Sequence, residues 1–514
     1  MPGLGRWPAA SRLLLSLASG AALALAYPDY NLPLLGWVAV AGLIFCSLGA
    51  GLRLATACGL LFGLVHYVIS LPWIYTVLRD YGPLPAWEAG ALLGLLSLAA
   101  AVSWAVFALL LAWVSRRTQW LALLAAPFLW VTLEFSRTHL PDIGFPWNLL
   151  GYTAASSLAL LQITSITGIW GLSLLVAAYN SLIVWALLSI REAKGRSRVI
   201  PAAVWAGTTI VLIAVAAAGA PLVPEAQPTN VAHLVQTNLP QSTSYRPDWE
   251  VVHAQDLAEL ERISIEAGRS RPGLVVWPEV PAPFSLQQGT FAERATRIAR
   301  QSQSDFLFGV VRWKSAGNTV EAFNSAALLD PAGRLTFVYD KIHLVPFSEY
   351  IPWRKWLWFA SDLTSLVGDF SRGTQYSVGQ LPGGRFSVFI CYEAIFPGQV
   401  RRYVQNGAEL LINISNDGWF GKSSALGQHM AMARVRAAEN RRWLLRDTNT
   451  GATVSVDPYG RIVAELPRYE RGVLDAPYGF RSDRTIYTRW GDWAAWLSAA
   501  VAAALLLGAG LRHR

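Results

Sequence analysis

The chain has 514 residues, of which 53% are hydrophobic and only 15% charged, with 23 Trp; this balance excludes a protein that is soluble and globular along its whole length. The formal net charge of +9 is partly a topology signal, carried by short segments between apolar runs, and gives no reason to invoke a nucleic-acid partner. Three cysteines exclude a disulfide framework, and no His/Cys cluster has metal-ligand spacing.

In chain order, the runs that approach the 17 to 25 residues of a bilayer span are 11–26, 33–50, 55–71, 89–114, 120–135, 168–190 and 200–220, with an eighth at 493–510. The first and fifth are short enough to be tilted or partly interfacial. The ALA at 24–26 imitates a signal-peptidase site, but seven further runs hold the chain in the membrane regardless. Positive charge falls at Arg6 and Arg12, Arg53, Arg116 and Arg117, then Arg191, Lys194, Arg196 and Arg198, and finally Arg512 and Arg514. The alternate loops carry mainly Arg79 and Arg137. Both termini are therefore expected in the cytoplasm, with the polar region between the last two helices on the other side. The expected division is a seven-helix membrane domain at 1–220, a soluble domain at 221–491 and an anchoring helix at 492–514.

Between the fifth and sixth runs, DIGFPWNLLGY at 142–152 is too polar to span; Trp147 and Tyr152 fit either an interfacial belt or the lip of a site. After the Pro-rich link 221–228 the pattern alternates. Strands are expected at 231–236, 274–277, 306–311, 326–329, 335–339, 386–391, 410–414, 444–446, 452–456 and 461–464, and amphipathic helices at 249–267, 291–303, 396–405 and 428–441. Such alternation predicts an α/β fold with helices covering sheets. The stretch 468–489, rich in Tyr, Arg and Pro, reads as the return to the last helix.

Three strand ends carry reactive groups. LVVWPE ends on Glu279, YDKIHLVPFSEY supplies Lys341, His343 and Glu349, and FSVFICYE ends on Cys391, Tyr392 and Glu393. An unpaired thiol is usually a small buried hydrophobe, but Cys391 is the only Cys of the soluble region and lies where a strand turns. A thiol needs a base to become a nucleophile, and the oxyanion it creates needs a positive donor. A Glu, a Lys and a Cys from three strand ends meet both needs.

These segments, with GFPWNLLGY, QTNLPQ, KIHLVPFSEYIP and NISNDGWFGK, resemble the carbon-nitrogen hydrolase (nitrilase) superfamily, and nearly the full length resembles its integral membrane branch, the apolipoprotein N-acyltransferases. The resemblance implies an α-β-β-α sandwich beside a polytopic helical domain of about eight transmembrane helices. It further implies Cys391 as acylated nucleophile, Glu279 as general base and Lys341 as oxyanion donor, with Glu349, Tyr392, Glu393 and Asn324 as accessory residues and no cofactor or metal. Its substrates are a phospholipid acyl donor and a diacylglyceryl-modified apolipoprotein acceptor, met at the outer face of a bacterial inner membrane. Tyr245 takes the place of a frequent Trp after NLPQ, with Trp249 following, so that one or other of these aromatics is expected to contact the lipid, and Ser348 stands where Gly is common.

Other readings compete at single residues. Lys341 also fits a surface ion pair, Glu349 or Glu393 fits the base, and His343 suggests a Cys-His dyad. His429 reads as structural. Trp419 and Phe420 either pack as a loop core or dip into lipid beside Trp147. Two other functions are consistent with parts of the chain: a membrane-tethered amidase, with the same triad handing its thioester to water, and a transporter, for which Glu134 and His66 are the main intramembrane polar residues.

Overall fold

The computed structural model of the chain describes residues 7–82, 84–193, 195–242, 248–286, 290–316, 319–352 and 370–511. Arg6, Lys194, Tyr245, Arg512 and Arg514 lie outside them, as does the side chain of Arg196. Among the described residues, eight helices of nine residues or more precede the sandwich: α1 (Ala9–Leu25), α2 (Gly36–Ser47), α3 (Leu52–Ser70), α4 (Pro72–Asp80), α5 (Ala86–Ser115), α6 (Gln119–Thr138), α7 (Ile169–Glu192) and α8 (Val199–Ala218). Of these, α3, α5, α6, α7 and α8, together with a C-terminal helix Trp493–Leu511, are long and apolar enough to cross a membrane.

The differences from expectation have physical causes. The fifth apolar run forms a full 20-residue helix, because its last turn carries a charge that hydropathy rejects but the fold buries: Arg137 donates to the Tyr67 hydroxyl and, at 3.4 Å, to Trp147 O. The second run is the short one, with 12 residues in α2. Arg12 marks no loop either; it is buried in α1 and donates to Cys46 O at 2.5 Å and Leu48 O at 3.0 Å. Helix α4 was not legible as a run, being nine residues with Pro72 in its first turn. Helix α8 buries only Pro201 against the protein, as a lipid-facing helix does.

Among the described residues the sandwich has twelve strands: β1 (Asn230–Gln236), β2 (Leu274–Val276), β3 (Asp305–Ala316), β4 (Thr319–Leu329), β5 (Leu335–Asp340), β6 (Gly379–Leu381), β7 (Gly384–Ile390), β8 (Leu410–Ser415), β9 (Trp443–Thr448), β10 (Val454–Val456), β11 (Ile462–Glu465) and β12 (Gly472–Tyr478). One sheet has the order β12-β1-β2-β3-β4-β5 and the other β11-β10-β9-β8-β7-β6. β1-β2-β3 run parallel in the first, β7-β8-β9 in the second. Leu234, Val276 and Leu328 meet Val388, Ile390, Ile412 and Leu445 between the sheets. Outside the first sheet, α9 (Ala254–Ser270) and α10 (Phe291–Ser302) pack Leu257, Leu260 and Ile298 against Trp277, Phe306 and Phe308. Outside the second lie α11 (Pro397–Gln405) and α12 (Ala425–Asn440); the C-terminal helix Trp493–Leu511 is α13. This is the expected α-β-β-α layering beside a helical membrane region.

Part of the stretch 468–489 is a strand rather than a simple return. β12 pairs antiparallel with β1 from Asn230 opposite Tyr478 to Gln236 opposite Gly472. Its Asp475 and Pro477 disguise it, yet at a sheet edge a missing N–H costs no ladder bond.

Candidate active site

Four chain segments that leave strands at one end of the sandwich converge. After β2, Trp277 donates its backbone N–H to Leu307 O at 2.8 Å, and Pro278 and Glu279 then cross over Gly309 of β3. A Cβ at Gly309 meets Val280 N at 2.4 Å and the Glu279 Cα at 2.6 Å, so only glycine lets the carboxylate segment lie this close. Lys341 directly follows β5 and is positioned by its backbone N–H to Asn324 O at 2.9 Å, on β4. Asn416 follows β8 and donates its backbone N–H to Glu279 Oε2 at 2.8 Å.

The side chains form one buried cluster. Lys341 Nζ lies 3.0 Å from Glu279 Oε1 and 3.0 Å from Glu349 Oε1. Asn324 Nδ2 donates to the same two oxygens at 2.7 and 2.8 Å, and Glu349 Oε2 accepts from Val345 N at 2.8 Å. Lys341 is 1% and Glu279 5% exposed, which removes the surface ion-pair reading. Burial opposes the ammonium charge, but Glu279 and Glu349 outweigh it and hold Lys341 well above its ordinary pKa, so it is a cation throughout the neutral range.

Cys391 follows β7 at φ +48°, a left-handed conformation that a non-glycine residue adopts at a cost of about 1–3 kcal/mol. Val280, after Glu279, has φ +23°. The thiol is 6% exposed. Burial, and next the Glu279 charge, push its pKa above the ordinary value, while Lys341 pulls the other way. The resting sulfur is therefore a thiol, in the field of the Glu279 and Asp417 carboxylates and the Lys341 ammonium.

Glu393 has a task that adjacency in sequence does not reveal. Its Oε1 accepts from Ile342 N at 2.7 Å, His343 N at 3.0 Å and Gln399 Nε2 at 2.6 Å, its Oε2 from Ile390 N at 2.7 Å, and Tyr339 OH reaches both. The carboxylate thus ties the loop after Lys341 to the residue before Cys391, with burial raising its pKa despite those donors. In Glu393→Gln an amide N–H₂ replaces one acceptor and faces donors. The expected result is a stability loss of about 2–4 kcal/mol, read as a lowered Tm in detergent; an unchanged Tm contradicts this account. His343, whose backbone serves Glu393, stacks on Phe396 at 4.3 Å and is pushed down to a pKa of about 4 by burial.

Behind the thiol, ligand atoms of Cys391, Asp417 and His429 lie within 4.8 Å of one another, a grouping invisible in the spacing. A metal does not fit it. Arg446 Nη2 sits 2.8 Å from Asp417 Oδ2 and 3.1 Å from His429 Nδ1, so a guanidinium already supplies the positive charge. The other imidazole nitrogen, Nε2, donates to Cys391 O at 3.0 Å and steadies the elbow, while burial and Arg446 hold the ring below its ordinary pKa. His429 is structural, as read from sequence.

The aromatic residues divide. Trp147 is buried, 4.8 Å from Trp73, 5.9 Å from His429 and donating to Gln428 Oε1 at 2.6 Å, so it belongs to no interfacial belt. Phe420 packs edge-on against Trp73 at 5.3 Å and Trp419 against Tyr81 at 5.2 Å, whose hydroxyl donates to Gly418 O at 2.6 Å. The NDGWFG loop therefore rests on α4 and its C-cap. Trp249 is buried in the apolar layer outside the first sheet, stacked on His253 at 4.5 Å; Tyr392 lies in a cavity wall with its hydroxyl toward Gly144 O at 3.4 Å.

Comparison with known proteins agrees with this architecture. The family described as "Carbon-nitrogen hydrolase" matches residues 234–478, and that described as "Apolipoprotein N-acyltransferase N-terminal domain" matches residues 19–182. The apolipoprotein N-acyltransferase of Geobacter metallireducens is 36% identical over 501 residues, covering 96% of this chain and 94% of that one. Its counterpart from Shewanella oneidensis is 31% identical over 94% of this chain and 93% of its own. Among solved structures, Saccharomyces cerevisiae Nit3, a member of branch 10 of the nitrilase superfamily, aligns at 21% identity and a TM-score of 0.36 over 48% of this chain and 88% of that one.

Proposed function

We propose the following reaction for this chain, which belongs to the apolipoprotein N-acyltransferase family: a fatty acyl group passes from a phospholipid to the α-amino group of a diacylglyceryl-modified N-terminal cysteine, by way of a thioester on Cys391. The observation that carries the residue assignment is the ammonium of Lys341, held at 3.0 Å by both Glu279 and Glu349 beside a buried thiol. Because that thiol rests protonated, attack requires a base, and Glu279 is the carboxylate whose charge bears most on the sulfur.

In the first half-reaction Glu279 takes the thiol proton as Sγ attacks the ester carbonyl, and Lys341 faces the oxyanion. Collapse breaks the ester C–O bond; Glu279 returns the proton to the leaving lysophospholipid alkoxide, and a thioester remains. In the second, the neutral amine attacks the thioester, its proton passes through Glu279 to the departing sulfur, and amide and thiol result. Glu349 and Asn324 position Lys341 and Glu279. Both substrates are anchored in lipid, and a site beside the membrane helices spares the cost of extracting chains from the bilayer, about 0.8 kcal/mol per CH₂.

The membrane region at 1–220, the catalytic domain at 221–491 and the helix at 492–514 are its proposed parts, in an inner membrane with cytoplasmic termini and a periplasmic site. Arg53, Arg116, Arg117, Arg191 and Arg198 support that orientation. The test is intact-mass analysis of the full-length protein. Incubation with phospholipid alone is expected to add one fatty acyl group at Cys391, and a diacylglyceryl lipopeptide with a free amine removes it as the N-acyl product. Loss of the adduct to water at the same rate without the lipopeptide is the result of a tethered amidase; no adduct under turnover conditions rejects the thioester route.

A further inference from the structure

A cavity of about 410 Å³ lies against Tyr392, outside the cluster of Glu279, Lys341 and Cys391. It is built where three membrane-spanning helices end: Thr138 is the last residue of α6, Trp170 the second of α7, and Asp492 immediately precedes α13. Its floor is therefore at the height where chains give way to headgroups. Exposed apolar side chains stand beside it, Leu140 at 47% and Phe347 at 54%, with Trp490 at 76% and Trp496 at 65% flanking Asp492 in the sequence, as at a membrane interface.

Part of the lining is cationic. Arg372, Arg401 and Arg402 line the cavity, and Asp142 and Asp492 are its two carboxylates. Asp142 is taken by Arg372 at 3.0 Å. Asp492 Oδ1 instead accepts from Trp170 Nε1 at 2.7 Å and Tyr487 OH at 3.2 Å. Among the described residues, Arg401 and Arg402 have no carboxylate within ion-pair distance; Arg402 donates to Tyr376 OH at 3.2 Å, and the Nε of Arg401 is buried with no hydrogen-bond partner. Two guanidinia outside any ion pair, one of them with an orphaned donor, over apolar walls match an anionic phosphodiester carried on a lipid.

We propose that this cavity is a phospholipid headgroup site, in which Arg401 and Arg402 hold the phosphodiester while the acyl chains leave past Leu140 and Phe347 into the bilayer. Binding there does not depend on the acyl-transfer reading. Combined with that reading, the site holds the donor lipid one residue from the nucleophile, since Tyr392 lines the cavity and Cys391 precedes it.

The test uses full-length Cys391→Ala protein in detergent, which forms no acyl-enzyme, so its outcome is separate from that of the thioester experiment. Affinities are measured for fluorescent phosphatidylglycerol and for diacylglycerol with the same chains, with inorganic phosphate as competitor. Phosphatidylglycerol is expected to bind at least about tenfold tighter than diacylglycerol, and Arg401→Gln with Arg402→Gln to remove that advantage while leaving diacylglycerol unchanged. Arg402→Gln alone, at an exposed position, guards against a folding artefact: it should weaken phosphatidylglycerol severalfold with Tm unchanged, and Arg402→Lys should restore most of the loss. Equal affinity of the double variant and its parent for phosphatidylglycerol overturns the proposal. Displacement of phosphatidylglycerol by equimolar inorganic phosphate overturns the lipid assignment in favour of a soluble phosphate.

Discussion

Cys391→Ala is expected to abolish acyl transfer, by about 10⁴-fold or more, because no other group supplies the covalent carrier and residues of one nucleophilic unit do not act additively. The loss should be purely chemical. The side chain is small and buried, and removing its sulfur costs about 1 kcal/mol of packing, a minor change for a protein held by two sheets and a helical bundle. Intact mass should show no acyl adduct while Tm stays near that of the parent. Substantial residual transfer in Cys391→Ala rejects the thioester mechanism, and a transporter reading predicts that outcome, since it gives the sulfur nothing to do.

Lys341→Met is expected to lower kcat by about 10²–10³-fold through loss of the oxyanion donor, and, unlike Cys391→Ala, to destabilise the fold by about 3–5 kcal/mol. The second effect follows from geometry. Glu279 and Glu349 both approach Nζ at 3.0 Å, and without the ammonium two buried carboxylates face each other across Asn324 with no neutralising charge. Adding Glu349→Gln removes one of those charges. The double variant should recover much of the Tm without recovering activity, and recovery of both contradicts the oxyanion role. The pH dependence has a definite sign. The folded pKa of Lys341 is raised, by Glu279 and Glu349 against the cost of burial, so its contribution to stability is complete below the unfolded lysine value of about 10.4 and lost only as pH rises through the still higher folded value. The Tm gap between Lys341→Met and parent should therefore not close as pH rises from about 6 to 9. A gap that narrows toward pH 9 indicates a lysine that loses its proton within that range in the folded protein.

Glu279, Lys341 and Cys391 were legible because each follows a short apolar strand, and strand ends are where a layered fold exposes reactive groups. The apolar runs were legible for the same kind of reason: length and hydropathy are local properties, and α3, α5, α6, α7, α8 and α13 all fall where they predict. Even the motif KIHLVPFSEY placed Lys341 and Glu349 eight residues apart, the two ends of one ion pair.

What the sequence by itself determined is the apolar helices and the short strands whose ends carry Glu279, Lys341 and Cys391, since burial periodicity and turn chemistry act over a few residues at a time. Tertiary structure alone decided the rest, because the partners lie far apart along the chain. Strand β12 exists only through β1, some 240 residues earlier, and its Pro477 is tolerated solely at that edge. Glu393 turned from a neighbour of Cys391 into the tie between two loops once Ile342 and His343 came within reach. Trp147 and Arg137 left the surface because Trp73, Gln428 and Tyr67 cover them. A buried polar group is stable only where its hydrogen-bond partners are, and that location is a property of the folded chain.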